Sequence, residues 1–321
     1  MNYAFWFRLI VSLVVTIVLI RAIDWGAVPG LDDISIGYLL CAGLVVFLNR
    51  LVNAYRWYLL INDASSSVSF RQVAGIYFKS SFVGLVMPSS VGSELLKGYG
   101  LMKSGTEAID SFSSIFMERL LGLLSLFGSA LIGLLSLNIQ LDEVHELAIG
   151  RVVWGVLFLF IGSLIACYFV IPWLGERLNP RTKFTALILR LHHSFLYYQK
   201  IKARLILAFF LSICIQIFRI FGAWLIGIGL GISVDLAYYV LFIPIILLIS
   251  MIPISIAGLG VQEGAFVYFF SLTGANPTSI LTLALVLRFL LVLAVLPGGV
   301  LYLREGLWKN SKLNETIKTQ I

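Results

Sequence analysis

Charged side chains are scarce in this chain. They make up 12% of its 321 residues, where a soluble domain carries roughly 25%. A soluble fold of this length would need polar stretches to cover its surface, and few exist here. Cysteine and histidine are equally sparse, at three each. Cys41, Cys167 and Cys214 all fall inside apolar runs, where they read as free, buried thiols. No Cys/His spacing resembles a metal site. No Gly-rich phosphate loop, Ser/His/Asp set or cofactor motif is present, and the Gly258-x-Gly260 step is too short for a nucleotide fingerprint.

What the chain has instead is apolar length. Hydrophobic residues make up 60% of it, in runs such as Leu120 to Leu137, Val152 to Leu174 and Ile206 to Ile232. Each can cross a hydrocarbon core of about 30 Å, which takes roughly 20 helical residues. The runs are continuous rather than alternating, which excludes a transmembrane β-barrel. The fold class is therefore an all-α polytopic membrane protein, with no separate soluble domain. Six full spans are expected, at about 5–20, 36–60, 108–137, 152–174, 206–230 and 280–302. The first follows no signal-peptide pattern, having no small-residue cleavage site after it, and reads as a retained span.

Charge between the spans sets the orientation. Residues 175–204 hold seven basic side chains against Glu176 alone, and the stretch after 302 holds four against two acids. Both belong in the cytoplasm by the positive-inside bias, so the net charge of +7 records orientation rather than a nucleic-acid partner. Asp24, Asp32 and Asp33, and later Asp142, Glu143 and Glu146, mark outward loops. The expectation is a multi-pass protein of the plasma (inner) membrane with both termini cytoplasmic. The 175–204 connector fits either an amphipathic helix on the inner leaflet or an ordinary loop.

Two further apolar segments, 73–103 and 236–273, are broken near their middles. The first break contains Pro88, Ser89, Ser90 and Gly92, and the second Pro253, Gly258 and Gly260. Proline removes a helical hydrogen bond, and broken backbone at membrane depth survives only where protein or a wet cavity covers it. The breaks come with matched charges. Glu94 and Glu263 are 169 residues apart, and so are Arg119 and Arg288, and Arg50 and Arg219. RLLGLLSL from Arg119 also parallels RFLLVLAV from Arg288. Arg56 and Glu118 have no such counterpart. Segment 73–103 is bounded by Arg71, Lys97 and Lys103 and should enter from the cytoplasm, while 236–273 should enter from outside. The expected plan is thus an inverted repeat, 36–137 and 205–302, with two re-entrant broken hairpins facing a midplane site.

Charges inside the membrane are costly, so Arg50, Glu94, Glu118, Arg119, Arg219, Glu263 and Arg288 need partners or a wet cavity. The functional expectation gives the arginines an anionic headgroup, because a guanidinium is always charged and its fork suits phosphate. Glu94 and Glu263 would hold Arg119 and Arg288 when the site is empty, or carry a coupled proton. The alternative is a set of structural ion pairs locking helices together.

At the two breaks the sequence resembles the lysylphosphatidylglycerol synthase transmembrane family. The resemblance rests on Pro88, Gly92 and Glu94, on Glu118 to Leu121, and on Pro253, Gly258, Gly260, Glu263 and Gly264, and it covers nearly the whole chain. It implies movement of an amphipathic lipid, or a lipid-linked substrate, between leaflets. The chain shows no aminoacyl-transfer domain before Ile321, so synthesis of lysyl-lipid is not expected. Two rival functions remain at this point. One is an intramembrane enzyme modifying a lipid headgroup, and the other a membrane partner anchoring a separate lipid-modifying enzyme.

Overall fold

The structure, a computed structural model, describes residues 34–61, 68–85, 90–136, 201–251, 255 and 258–319, with isolated positions elsewhere. The expected spans 5–20 and 152–174 lie outside the described residues, as does nearly all of the 175–204 connector. Eight helices and no strands occur among the described residues. They are α1 (Ile36–Leu59), α2 (Phe70–Gly84), α3 (Ser90–Lys103), α4 (Ala108–Ser136), α5 (Lys202–Gly229), α6 (Leu236–Ser250), α7 (Val261–Ser271) and α8 (Pro277–Thr319).

Four of these, α1, α4, α5 and the first 28 residues of α8, are long and apolar enough to cross a membrane. They match four of the six expected spans within about four residues. The other four helices are the broken segments. At 15, 14, 15 and 11 residues, and 1.5 Å per residue, none reaches the roughly 30 Å of a hydrocarbon core. Helix α2 packs on α3, and α6 on α7.

Local sequence explains where the short helices start. Gln72 Oε1 accepts from the Ser69 backbone N–H at 2.9 Å and from its hydroxyl at 3.1 Å, closing the first turn of α2. Asp235 Oδ1 accepts from Ala237 N–H at 2.8 Å at the head of α6. The turn before α7 needs its glycines, since Gly258 and Gly260 have φ of +74° and +80°, a region that side chains rarely enter. The glycine pair is a backbone device. Pro88, Ser89 and Pro253 lie outside the described residues, and Ser90 opens α3.

The second set of four helices corresponds to the first in starting positions and in packing. Shifted by 169 residues, α1 to α4 would begin at 205, 239, 259 and 277, and α5 to α8 begin at 202, 236, 261 and 277. The packing repeats too. Helix α2 lies against α8 as α6 lies against α4, α1 against α2 as α5 against α6, and α4 against α5 as α8 against α1. Helices α1 and α5 form the most extensive contact and run antiparallel. Ser35 N–H donates to Gly229 O at 2.9 Å, Asn49 Nδ2 to Ile215 O at 2.8 Å, and Arg56 Nη1 to Ser212 Oγ at 2.9 Å. Ser35 and Gly229 both fall on the side that the charge bias calls outer. Leu60 O, which accepts from Tyr198 at 3.0 Å, pairs two residues on the side called inner.

The main core joins both halves, with Ala42, Ala223, Ile226, Tyr239, Phe242, Phe266, Phe270 and Leu283 at its centre. Glycines permit its closest crossings. A Cβ at Gly298 would collide with the Phe78 backbone across the α8–α2 contact, whereas no described residue lies within 4 Å of a Cβ at Gly128 in α4. Gly298→Ala should therefore lower the melting temperature of the purified protein. Gly128→Ala should leave it unchanged or raise it slightly, because alanine is the better helix former by about 1 kcal/mol. Equal melting of the two variants would remove the close crossing as a source of stability. One expectation fails outright: Cys41 and Cys214 are exposed rather than buried. An apolar run does not say which helical face meets protein, and these thiols sit on faces that lipid would cover. Cys167 lies outside the described residues.

Candidate functional site

Each of the eight described helices contributes to the wall of one cavity of about 620 Å³. Arg50, Arg119, Arg219 and Arg288 all line it, as do Glu94 and Glu118. Glu263 sits behind Arg288, 4% exposed, and holds that arginine from the protein side.

The two glutamate–arginine pairs expected from spacing are formed. Arg119 Nη1 donates to Glu94 Oε1, linking α3 to α4. Arg288 Nε donates to Glu263 Oε1, linking α7 to α8. Glu263 also closes the first turn of α7, its Oε2 accepting from Gly260 N–H at 2.8 Å. Arg288 Nη2 reaches Gly258 O and Gln262 Oε1, each at 3.3 Å, so one guanidinium fastens the whole glycine turn to α8.

A third charge cluster escaped the sequence reading. Glu118 accepts from Lys97 Nζ at 3.0 Å and from Arg56 Nη2 at 3.2 Å. The side chains of Arg56, Glu118 and Lys97 are only 7%, 9% and 11% exposed, against 28% and 32% for Glu94 and Arg119. Lys97 lies 4.5 Å from the Tyr77 ring centroid and 5.3 Å from that of Trp57, so its ammonium rests on aromatic faces as well. Treating Lys97 as a marker of the membrane rim was therefore wrong; Arg71 and Lys103 are exposed, but Lys97 points inward. The neighbours Glu118 and Arg119 do take different partners, as their angular separation on α4 requires, yet both reach the cavity. An unmatched acid in a span was the available signal, since it calls for a buried cation nearby.

Six cations thus meet in one chamber with three carboxylates, counting Glu263 behind the wall. Asn53 and Gln216 each orient one of them. Asn53 Oδ1 accepts from Arg56 Nη2 at 3.3 Å, and Gln216 Oε1 from Arg219 Nη1 at 3.4 Å. A half-open space with this excess of positive charge attracts anions, and the low-dielectric protein around it makes the attraction stronger than in water. No grouping of His, Cys, Asp and Glu suited to a metal occurs among the described residues.

A sequence profile of the lysylphosphatidylglycerol synthase TM region matches residues 5–299. The chain belongs to that family. No curated protein and no solved structure matches it significantly. Family membership makes this a multi-pass membrane protein related to lipid synthesis or flipping. In this chain, α3 delivers Glu94 to Arg119, and the Gly258-x-Gly260-x-x-Glu263 turn delivers Glu263 to Arg288.

Proposed function

We propose that the protein moves an anionic amphipathic lipid, or a lipid-linked substrate, between membrane leaflets. The observation that carries this is a cation-rich cavity walled by helices of both halves. An anion crossing the apolar core unaided would leave water with its charge bare, so its carrier must enclose it.

The halves form an inverted repeat in this reading. The 169-residue correspondence of helices, the repeated packing and the antiparallel α1–α5 pair all support a twofold axis lying in the membrane plane. The short pairs α2–α3 and α6–α7 are then re-entrant hairpins entering from opposite sides, with both chain termini cytoplasmic in the plasma (inner) membrane. Rocking one half against the other would expose the cavity to each leaflet in turn. Arg119 and Arg288 exchange their glutamates for the headgroup during that cycle, and Arg50, Arg219 and Glu118 complete the chamber. No metal or cofactor is assigned a role.

The test is reconstitution of the full chain into phosphatidylcholine vesicles carrying a fluorescent anionic lipid. Without protein, a membrane-impermeant quencher should bleach about the outer half of the label. With it, bleaching should run well past that level. Bleaching that stops at the outer leaflet for every anionic label would end the transport reading. The orientation has its own check in intact cells, using single cysteines in a cysteine-free background. An impermeant thiol reagent should label Asp142→Cys from outside and leave Lys312→Cys untouched until the membrane is opened. Labelling of Lys312→Cys from outside would overturn the cytoplasmic placement of the C-terminus.

A further inference from the structure

The six cations of the cavity are not equivalent. Arg119 and Arg288 each face a glutamate, and Arg56 and Lys97 share Glu118. Arg50 and Arg219 form no ion pair with a carboxylate among the described residues. Arg219 has the neutral amide oxygen of Gln216 at 3.4 Å, and Arg50 Nε is buried without a hydrogen-bond partner among the described residues.

Their position is also special. They are equivalent at the 169-residue offset, and they lie where α1 crosses α5. The pairings of Asn49 with Ile215 and of Arg56 with Ser212 place Arg50 opposite the turn that carries Gln216 and Arg219. Arg50, Arg56 and Arg219 line the same cavity. Gln216 is steadied from behind, its Nε2 donating to Ser125 Oγ at 3.2 Å, which leaves its oxygen aimed at Arg219. Three guanidiniums line one cavity and only Arg56 among them is paired with a carboxylate, which leaves room for an anion between them. The amount of charge narrows its chemistry. Six cations and three carboxylates leave a formal excess of three. A zwitterionic headgroup would leave all of that excess standing, and a phosphodiester would remove a single charge.

The geometry points to Arg50 and Arg219 as the docking subsite for a multiply charged phosphate, a phosphomonoester or diphosphate headgroup, flanked by Arg56. This rests on the cavity's role as the headgroup chamber and adds the class of headgroup. Two forked donors from antiparallel helices can grip separate oxygens of one phosphate, or one phosphate each of a diphosphate. Arg119 and Arg288, already neutralised, supply the latches rather than the standing attraction.

The experiment measures protection of the detergent-purified full chain against thermal unfolding by four probes. These are farnesyl diphosphate, farnesyl monophosphate, dihexanoyl phosphatidylglycerol and inorganic pyrophosphate. The two farnesyl phosphates should protect at concentrations at least tenfold below the phosphodiester. Arg50→Gln and Arg219→Gln should each erase that preference. Arg50→Lys and Arg219→Lys, which keep the charge and lose the fork, should weaken it and serve if the glutamine variants fail to fold. Equal protection by diphosphate and phosphodiester in the wild type would overturn the subsite, as would unaltered diphosphate protection in the variants. Lipid movement in vesicles would survive that result, so the two readings fail separately. Pyrophosphate acting as well as farnesyl diphosphate would keep the anion subsite and remove the lipid as its source.

Discussion

Glu118→Gln should sharply lower the melting temperature of the purified protein. Its carboxylate is the shared counter-charge of Arg56 and Lys97, both nearly enclosed. Removing one partner of a buried ion pair costs about 3–5 kcal/mol, because the cation left behind has lost both water and its anion. The second half of the chain suggests the repair. The residues 169 positions on from Arg56, Lys97 and Glu118 are Leu225, Phe266 and Leu287, all buried in the apolar core. If the halves are related as proposed, the same place is built once with charges and once without. The combined variant Arg56→Leu, Lys97→Phe and Glu118→Leu should therefore melt close to the wild type, since apolar replacement of a whole buried triad is often neutral or better. The new phenyl ring of Lys97→Phe would meet the Tyr77 and Trp57 rings that now receive the ammonium. A melting temperature for the triple variant as low as that of Glu118→Gln would show that the charges hold this region together. The triple variant should also transport poorly, because it removes one net positive charge and the Arg56 flank from the chamber.

Loss of lipid movement is the expected result for Arg119→Gln and Arg288→Gln, by at least about tenfold in the vesicle assay. Each arginine joins the helix after a break to the span that follows it, so each couples a hairpin to the wall of the cavity. Lysine should rescue poorly at either site, and worse at Arg288, where one guanidinium serves Glu263, Gly258 O and Gln262 together. An ammonium cannot span three acceptors arranged for a planar fork. Both variants leave a glutamate without its cation, so melting must be followed alongside. Normal transport by protein that melts far earlier would assign these pairs to helix locking alone.

The four described spans were legible in the sequence as apolar runs, and the two broken segments as Pro/Gly interruptions of such runs. The two Glu–Arg pairs were legible because they match at a single 169-residue offset, a filter that separates a charge that must be kept from one that is incidental. The same filter hid the Arg56–Glu118–Lys97 cluster, which exists in only one half. Lys97 was doubly obscured, because a cation six residues from Lys103 at the end of a short helix looks like part of a rim. Six residues is about 1.7 helical turns, however, which points the two side chains in different directions. The thiols of Cys41 and Cys214 were misplaced because an apolar environment reads alike whether supplied by protein or by lipid.

Helix α1 carries Asn49, Arg50, Asn53 and Arg56 on its route through the membrane, and their partners arrive late in synthesis. Glu118 lies 62 residues further along than Arg56, and Ser212 and Ile215 lie 156 and 166 residues beyond their partners in α1. Arg50 costs up to about 2.5–3.5 kcal/mol inside an isolated span, and Arg56, in the last turn of α1, costs less because it lies near the interface. Helix α1 is apolar enough to cross a membrane by itself, yet Asn49, Arg50 and Asn53 weaken its hold until α4 and α5 exist. Insertion of α1 is therefore expected to be weak at first and to become firm once the rest of the chamber is made.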